Sequence, residues 1–336
     1  MNKTSPLNNQ TAITVSCGGR LHMGFFDLHG GIGRKFGSIG LSLTEPGLKL
    51  TASLSEQINI SGEPAVSAAS LARAAKLAPL FLQNLKLPAG VNIHLEQHIP
   101  EHAGLGSGTQ IALAIGTAIK RLHQVEISTA QIAAMAGRGS RSGIGIAAFD
   151  QGGLLIDGGR ALTLPANGLA PTKIPPLIAR YDFPADWRVL MIFDASQPGI
   201  HGEAELQAFK DLPQFPESLA AHLCRYVLMQ AMPALVERDL TAFGNSIQVL
   251  QSHIGDYFAP AQGGRYASKL VGSVLQHLEN SGVACFGQSS WGPTGFAVFE
   301  NAAAVEQQLT ALKLQFNDAN LSWKICSALN HGAELS

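Results

Sequence analysis

Apolar and polar side chains alternate over Ala12 to Cys17 and again over Val91 to Leu95, the period-two signature of half-buried strands. From Ile39 to Ile60 the pattern reads as strands broken at Pro46-Gly47, and Val66 to Leu85 carries the spacing of an amphipathic helix. The apolar run Ile111 to Ile119 predicts a buried helix, Thr129 to Gly137 a shorter one, and Gly152 to Asp157 a buried strand closed by the Gly158-Gly159 turn. Pro165 to Pro184 contains five prolines and little periodicity, so it predicts a linker between a domain at 1–184 and a second at 185–336. In the second half the pattern predicts strands at Trp187 to Phe193, Val283 to Phe286, Phe296 to Glu300 and Trp323 to Cys326. Helices are predicted at Leu219 to Met229, Ala234 to Ile254, Tyr266 to Asn280 and Ala303 to Leu312. That mixture is an α+β fold in each half.

Composition narrows the class. A chain of 336 residues, 46% of them hydrophobic, can bury two ordinary cores. The net charge of −1 and the scattered basic residues argue against a nucleic-acid or membrane-surface partner. Single apolar runs are too short to span a bilayer and Met1 to Gln10 is polar, so the expected location is the cytoplasm. Four cysteines, at 17, 224, 285 and 326, lie far apart without a Cys-x-x-Cys pair, which predicts reduced thiols in place of a zinc site or disulfide framework.

The chemistry concentrates in glycine-rich stretches. Gly104-Leu105-Gly106-Ser107-Gly108-Thr109 stands between a predicted strand and a predicted helix, where converging N–H groups and the helix N-terminus favour an anion. On its own, Gly-x-Gly-x-Gly reads equally as a phosphate cradle and as a tight turn. Gly18 to Gly37 reads as a binding loop carrying Arg20, His22, Arg34 and Lys35. Gly137 to Gly145 is a further loop with Arg138 and Arg141, whose guanidinium groups suit bidentate contact with phosphate or carboxylate. The segment from Asp194 to Glu205 would bring His201 and Glu205 toward the site. Gly287-Gln288-Ser289-Ser290-Trp291-Gly292-Pro293-Thr294 is a polar turn with one aromatic fit to stack on a flat ligand.

Pro100-x-x-x-Gly104-Leu105-Gly106-Ser107 resembles the central phosphate-binding motif of the GHMP small-molecule kinases, with Gly18 to Gly24 and Gly287 to Thr294 similar to that group's first and third motifs. The resemblance covers nearly the whole chain. It implies two α+β domains with the active site in the cleft between them. Two positions depart from the kinase pattern. Ser142-Gly143-Ile144 is followed by Gly145 where mevalonate-type members carry the catalytic Asp, and Gly108 stands where kinases keep a magnesium-binding hydroxyl. A better match is one branch of the group, the β-ribofuranosylaminobenzene 5′-phosphate synthases of methanopterin biosynthesis. That branch resembles this chain at Arg20-Leu21-His22, Gly30 to Gly40, Gly104 to Gln110, Gly137 to Gly145 and Gly287 to Thr294.

This second resemblance implies condensation of 5-phosphoribosyl-1-pyrophosphate with 4-aminobenzoate or 4-hydroxybenzoate, releasing carbon dioxide and pyrophosphate, by a homodimer. The roles it suggests are Arg20, His22, Arg141, Ser142 and Trp291 in catalysis, and Gly104 to Thr109 with Arg138 for phosphate. Arg34, Gln288, Ser289, Ser290, His201 and Glu205 would contact substrate, and Mg²⁺ would sit at Ser107 and Thr109 with Asp27 or Asp150 as acidic ligand. Two other functions stay open on the residues: an ATP-dependent kinase with Asp150 as its base, and a ligand-binding module without catalysis.

Overall fold

The first strand is longer than its pattern predicts. In the computed structural model, which describes residues 12–88, 90–162, 174–197, 199 and 202–336, β1 (Ile13–Asp27) continues through the glycines expected to form a binding loop. It pairs antiparallel with the strand Gly37–Leu54, and register shifts at Gly18/Arg20, His22/Gly24 and Phe25/Asp27 bend it. A Cβ on Gly18 would stand 1.8 Å from the Leu43 carbonyl oxygen, so here the missing side chain serves a close strand approach. Between these two strands, β2 (Arg34–Lys35) pairs with a short strand at Arg160–Ala161, and β3 is Gly37–Leu54.

β3 is the middle of a seven-stranded sheet. Its neighbours are β1, β5 (Val91–Gln97) and β6 (Leu154–Asp157). β4 (Ile58–Gly62) pairs parallel with β5, and β7 is Arg160–Ala161. The proline-rich stretch contributes to the same sheet, because β8 (Leu177–Tyr181) pairs antiparallel with β6. The second sheet is antiparallel in the order β10 (Cys285–Gln288), β11 (Gly295–Phe299), β9 (Arg188–Asp194), β12 (Leu321–Cys326). The chain then returns, since β13 (Glu334–Leu335) pairs with β1.

Helices α1 (Ala68–Asn84), α2 (Ser107–Leu122) and α4 (Ile144–Asp150) pack on the first sheet, and α3 (Thr129–Met135) packs against these three helices. α2 is buried almost all round, Ile111 to Ile119 included, as its unbroken apolar run requires. The second half adds α5 (Glu203–Asp211), α6 (Glu217–Tyr226), α7 (Met232–Glu237), α8 (Leu240–Gln262), α9 (Lys269–Asn280) and α10 (Ala302–Gln315). The continuous helix expected over Ala234 to Ile254 is two helices. Arg238 adopts left-handed backbone at φ 59°, and the Asp239 side chain caps the restart by accepting from the Ala242 N–H. By length and composition the combined stretch Glu217–Glu237 is long and apolar enough to cross a membrane, which single runs of the sequence do not suggest. In this fold Leu223, Val227, Ala231 and Leu235 of that stretch enter the core. β9 separates two clusters by simple alternation: Val189 and Met191 join the large core shared with β1 and α8, while Leu190 and Ile192 face α9 and α10.

Candidate active site

Three distant segments meet at β1. The Arg20 N–H donates to the Leu105 carbonyl at 3.0 Å, and the Ser290 N–H donates to the His22 carbonyl at 2.9 Å. The buried Ser289 hydroxyl closes the knot by accepting from the His22 N–H at 3.1 Å and donating to the Gly104 carbonyl at 2.7 Å. The Arg20 guanidinium donates to the same carbonyl through Nη1. Gly104 is at φ 74°, and a Cβ there would lie 2.2 Å from the Ser289 carbonyl oxygen. Only glycine allows the phosphate loop and the 288–294 turn to approach this closely. From α8, the Gln251 side chain donates to the Met23 and Gln288 carbonyls and accepts from the Gln288 N–H, tying the turn to β1 from the other side.

The second glycine loop is held from beneath by Asp157, a residue whose role is not evident in the sequence. Its fully buried carboxylate accepts from the Ser38 hydroxyl at 2.6 Å, the Gly143 N–H at 2.8 Å, the Ser142 hydroxyl at 3.0 Å and, on the other oxygen, the Gly159 N–H at 2.9 Å. Burial raises its pKa while those bonds oppose the shift. Ser142 is thereby a support for the loop, and its hydroxyl also accepts from the Ile144 N–H.

Between the loops lies a cleft of about 450 Å³ bounded by Gly104 to Thr109, Gly137 to Ser142 and Ser290 to Gly292. A larger depression of about 790 Å³ lies on the far side of the first sheet's helices, beside Lys120 and Asp150, and no glycine loop faces it. Four arginines line the cleft: Arg20, Arg138 and Arg141, as the sequence suggested, and Arg73 of α1, which it did not. Among the described lining residues the one carboxylate is Glu205, and Arg141 holds it at 2.9 Å while stacking over Phe209 at 5.0 Å. Burial presses the Arg20 pKa down to about 10, which leaves it charged at neutral pH. His22 is 3% exposed and neither ring nitrogen has a hydrogen-bond partner. Burial first, then the Arg20 charge, drives its pKa down to about 3, so the imidazole is neutral and a poor proton acceptor.

Several expected site residues sit elsewhere. Arg34 donates to the Gly158 and Gly159 carbonyls at 2.7 and 2.6 Å, bracing the turn before β7, outside the cleft lining. Asp27 turns back to accept from the His29 and Gly30 N–H groups. Asp150 is at the C-terminal end of α4 on the far depression, which removes it both as metal ligand and as the base of a kinase. The Gln288 side chain accepts from the Ala267 N–H and donates to Gln262 and the Ser290 carbonyl, so it stiffens the turn. Trp291 is 4% exposed, with Phe258 tilted against it at 4.2 Å and Phe209 edge-to-face at 5.5 Å. It is a wall of the cleft, where the sequence suggested a stacking platform. His201 lies outside the described residues. The Ser107 and Thr109 hydroxyls do line the cleft, but no group of three His, Cys, Asp or Glu side chains that could hold a metal occurs among the described residues. Asp27 and Asp150 are turned away from these hydroxyls, and the cleft's Glu205 is paired with Arg141.

Residues 69–153 match the GHMP kinases N terminal domain and residues 231–318 the GHMP kinases C terminal domain. The fold is also that of solved GHMP structures: the homoserine kinase of Cytophaga hutchinsonii superposes over 100% of both chains with a TM-score of 0.66 at 16% identity. Cradle, cleft and fold together define a member of the GHMP kinase superfamily. Two curated relatives, the beta-ribofuranosylphenol 5′-phosphate synthases of Archaeoglobus fulgidus and Methanocaldococcus jannaschii, are 37% and 34% identical. Each alignment covers 86% of this chain, and 89% and 90% of the respective relatives. The chain belongs to the beta-ribofuranosylphenol 5′-phosphate synthase family.

Proposed function

We propose that this chain joins the ribosyl 5-phosphate of 5-phosphoribosyl-1-pyrophosphate to 4-hydroxybenzoate or 4-aminobenzoate, releasing carbon dioxide and pyrophosphate. The observation that carries the reading is a phosphate cradle lined by four arginines, whose one described carboxylate is already neutralised by Arg141. Such a site stabilises a leaving diphosphate and offers no base to activate an alcohol for phosphorylation. The bond from ribose C1 to the diphosphate oxygen breaks, and the oxocarbenium-like sugar is attacked by the ring carbon that bears the carboxylate. Loss of carbon dioxide returns the electron pair to the ring and restores aromaticity. No proton acceptor is needed for that step, and the neutral His22 is compatible with it.

The N–H groups of the Gly104–Thr109 loop and the arginines bind and orient the charged groups, while the Trp291–Phe258 wall limits access of water to the cation. Mg²⁺ would arrive on the diphosphate of the donor and supply further charge neutralisation there. The enzyme would work in the cytoplasm, where its free thiols stay reduced. Exposed Leu228, Met229 and Val236 offer a face for a homodimer. The test is incubation with the donor, Mg²⁺ and either aromatic acid. Equimolar carbon dioxide, pyrophosphate and an aryl riboside phosphate are expected, and no product with either acid would overturn the proposal.

A further inference from the structure

The position above Gly108 is filled from outside the phosphate loop. A Cβ placed there would stand 2.3 Å from Arg73 Nη1 and 3.2 Å from Arg138 Nη2, so two guanidinium groups converge on one point at the start of α2. Burial first, and then the charge of Arg73, lowers the Arg138 pKa. No salt bridge to either arginine occurs among the described residues, and Arg138 Nε is buried without a partner. Two guanidinium groups without a salt-bridge partner, converging at the N-terminus of α2, favour an anion between them. Among the described lining residues the cleft's one carboxylate, Glu205, is already paired with Arg141.

We propose that Arg73 and Arg138 form a guanidinium pair that grips the diphosphate of the donor substrate, doing at Gly108 what a metal-binding hydroxyl does at this place in the kinase pattern. Gly108 is then required for space: any side chain would push Arg73 aside. The pair lets the chain hold pyrophosphate without a divalent ion. A single phosphate, such as the 5-phosphate at the other end of the donor, shares this chemistry, and the two are distinguishable by their probes.

The assignment rests on the synthase reading for its substrate and is tested by titration calorimetry of the full chain with pyrophosphate in EDTA, with ribose 5-phosphate as the second probe. Pyrophosphate should bind the unaltered chain, and Arg73→Gln and Arg138→Gln should each weaken it about 10- to 100-fold, as loss of a charge-assisted pair does. Arg73→Lys should recover part of the loss, and ribose 5-phosphate affinity should change less than about threefold. Gly108→Ala keeps both arginines and still should weaken pyrophosphate, so a failure of Arg73→Gln to fold leaves the proposal exposed to test. Binding that appears only with Mg²⁺, unchanged affinity in Gly108→Ala and Arg73→Lys, or a loss confined to ribose 5-phosphate would each overturn it. The two readings fail separately. Pyrophosphate binding that depends on Arg73 in a chain that makes no aryl riboside would leave the pair standing and remove the synthase, and product formation with unaffected pyrophosphate affinity would do the reverse.

Discussion

Ser289→Ala removes one oxygen from the place where three segments cross. That oxygen accepts from the His22 N–H at 3.1 Å and donates to the Gly104 carbonyl at 2.7 Å, with no exposure to solvent. The two losses are unequal. Gly104 keeps a second donor in the Arg20 guanidinium, so its carbonyl remains satisfied. The His22 N–H, on a residue only 3% exposed, loses the acceptor it has in Ser289. An orphaned buried donor costs about 1–3 kcal/mol, and the volume lost is a single hydroxyl, so the destabilisation should fall in that range. Denaturant unfolding should show a lower midpoint at unchanged slope. Activity should fall further than stability, because Gly104 sets the path of the phosphate loop, and displacement of a binding group by an ångström is worth up to about 100-fold in rate. Ser290→Ala, whose backbone alone contacts β1, should stay within about 0.5 kcal/mol of the parent. If Ser289→Ala matches the parent in midpoint and in kcat/KM, the knot is not what positions the cradle.

Acidification should destabilise the fold through His22. Its folded pKa is depressed to about 3 from 6.5, so between those values the unfolded chain binds a proton that the folded chain refuses. Stability is therefore full above about pH 6.5 and falls as pH drops, by about 2 kcal/mol at pH 5. The fall in unfolding midpoint between pH 7.5 and 5 should shrink in His22→Gln, and an identical fall in both proteins would reject the assignment. Arg34→Ala should cost about 1–3 kcal/mol in stability with KM for the donor unchanged, since its two bonds brace the Gly158-Gly159 turn. A tenfold rise in KM without loss of stability would put Arg34 back at the substrate. Gly145→Asp would set a Cβ 3.2 Å from Thr109 Cγ2 and an anion beside the phosphate loop. Synthase turnover should fall about tenfold or more with no ADP release from ATP and small alcohols, and ADP release would mean that a kinase needs only this one carboxylate here.

Much of the fold was legible because its signals are local. The alternation at Val91 to Leu95, the glycines at 104 to 108 and the apolar run after them lie within a few residues of one another, and the structure keeps their order as β5, loop and α2. β1 was not legible past Cys17. Glycines there have the local look of a loop, since a sequence shows that a residue is small without showing what approaches it; Leu43 and Pro46 do, from the paired strand. The expected linker hides β8 for a related reason, its pairing partner β6 lying more than twenty residues earlier.

The site was legible as chemistry and illegible as geometry, and the arginines explain the difference. Arg34, among glycines, has the local look of a binding residue, yet two carbonyls from the far end of the first half claim its guanidinium. Arg73, among alanines, has the look of a solvated helix position, yet it reaches Gly108. A signal for Arg73 does exist. It falls on the stripe defined by the buried residues Ser70, Leu77 and Phe81, spaced three and four apart, and an arginine on the inward stripe of a helix must be drawn there by an anion. Asp157 carries the matching lesson from the other sign: a carboxylate ending an apolar strand is buried only if donors await it, and they come from Ser38 of β3, from Ser142 and Gly143 of the second glycine loop and from the Gly158-Gly159 turn. Charges on buried faces are thus the places where a sequence with one member shows its site, because neither burial nor pairing can be satisfied locally. In this chain the buried anion supports the second loop, and the inward arginine points at the space left open for a ligand.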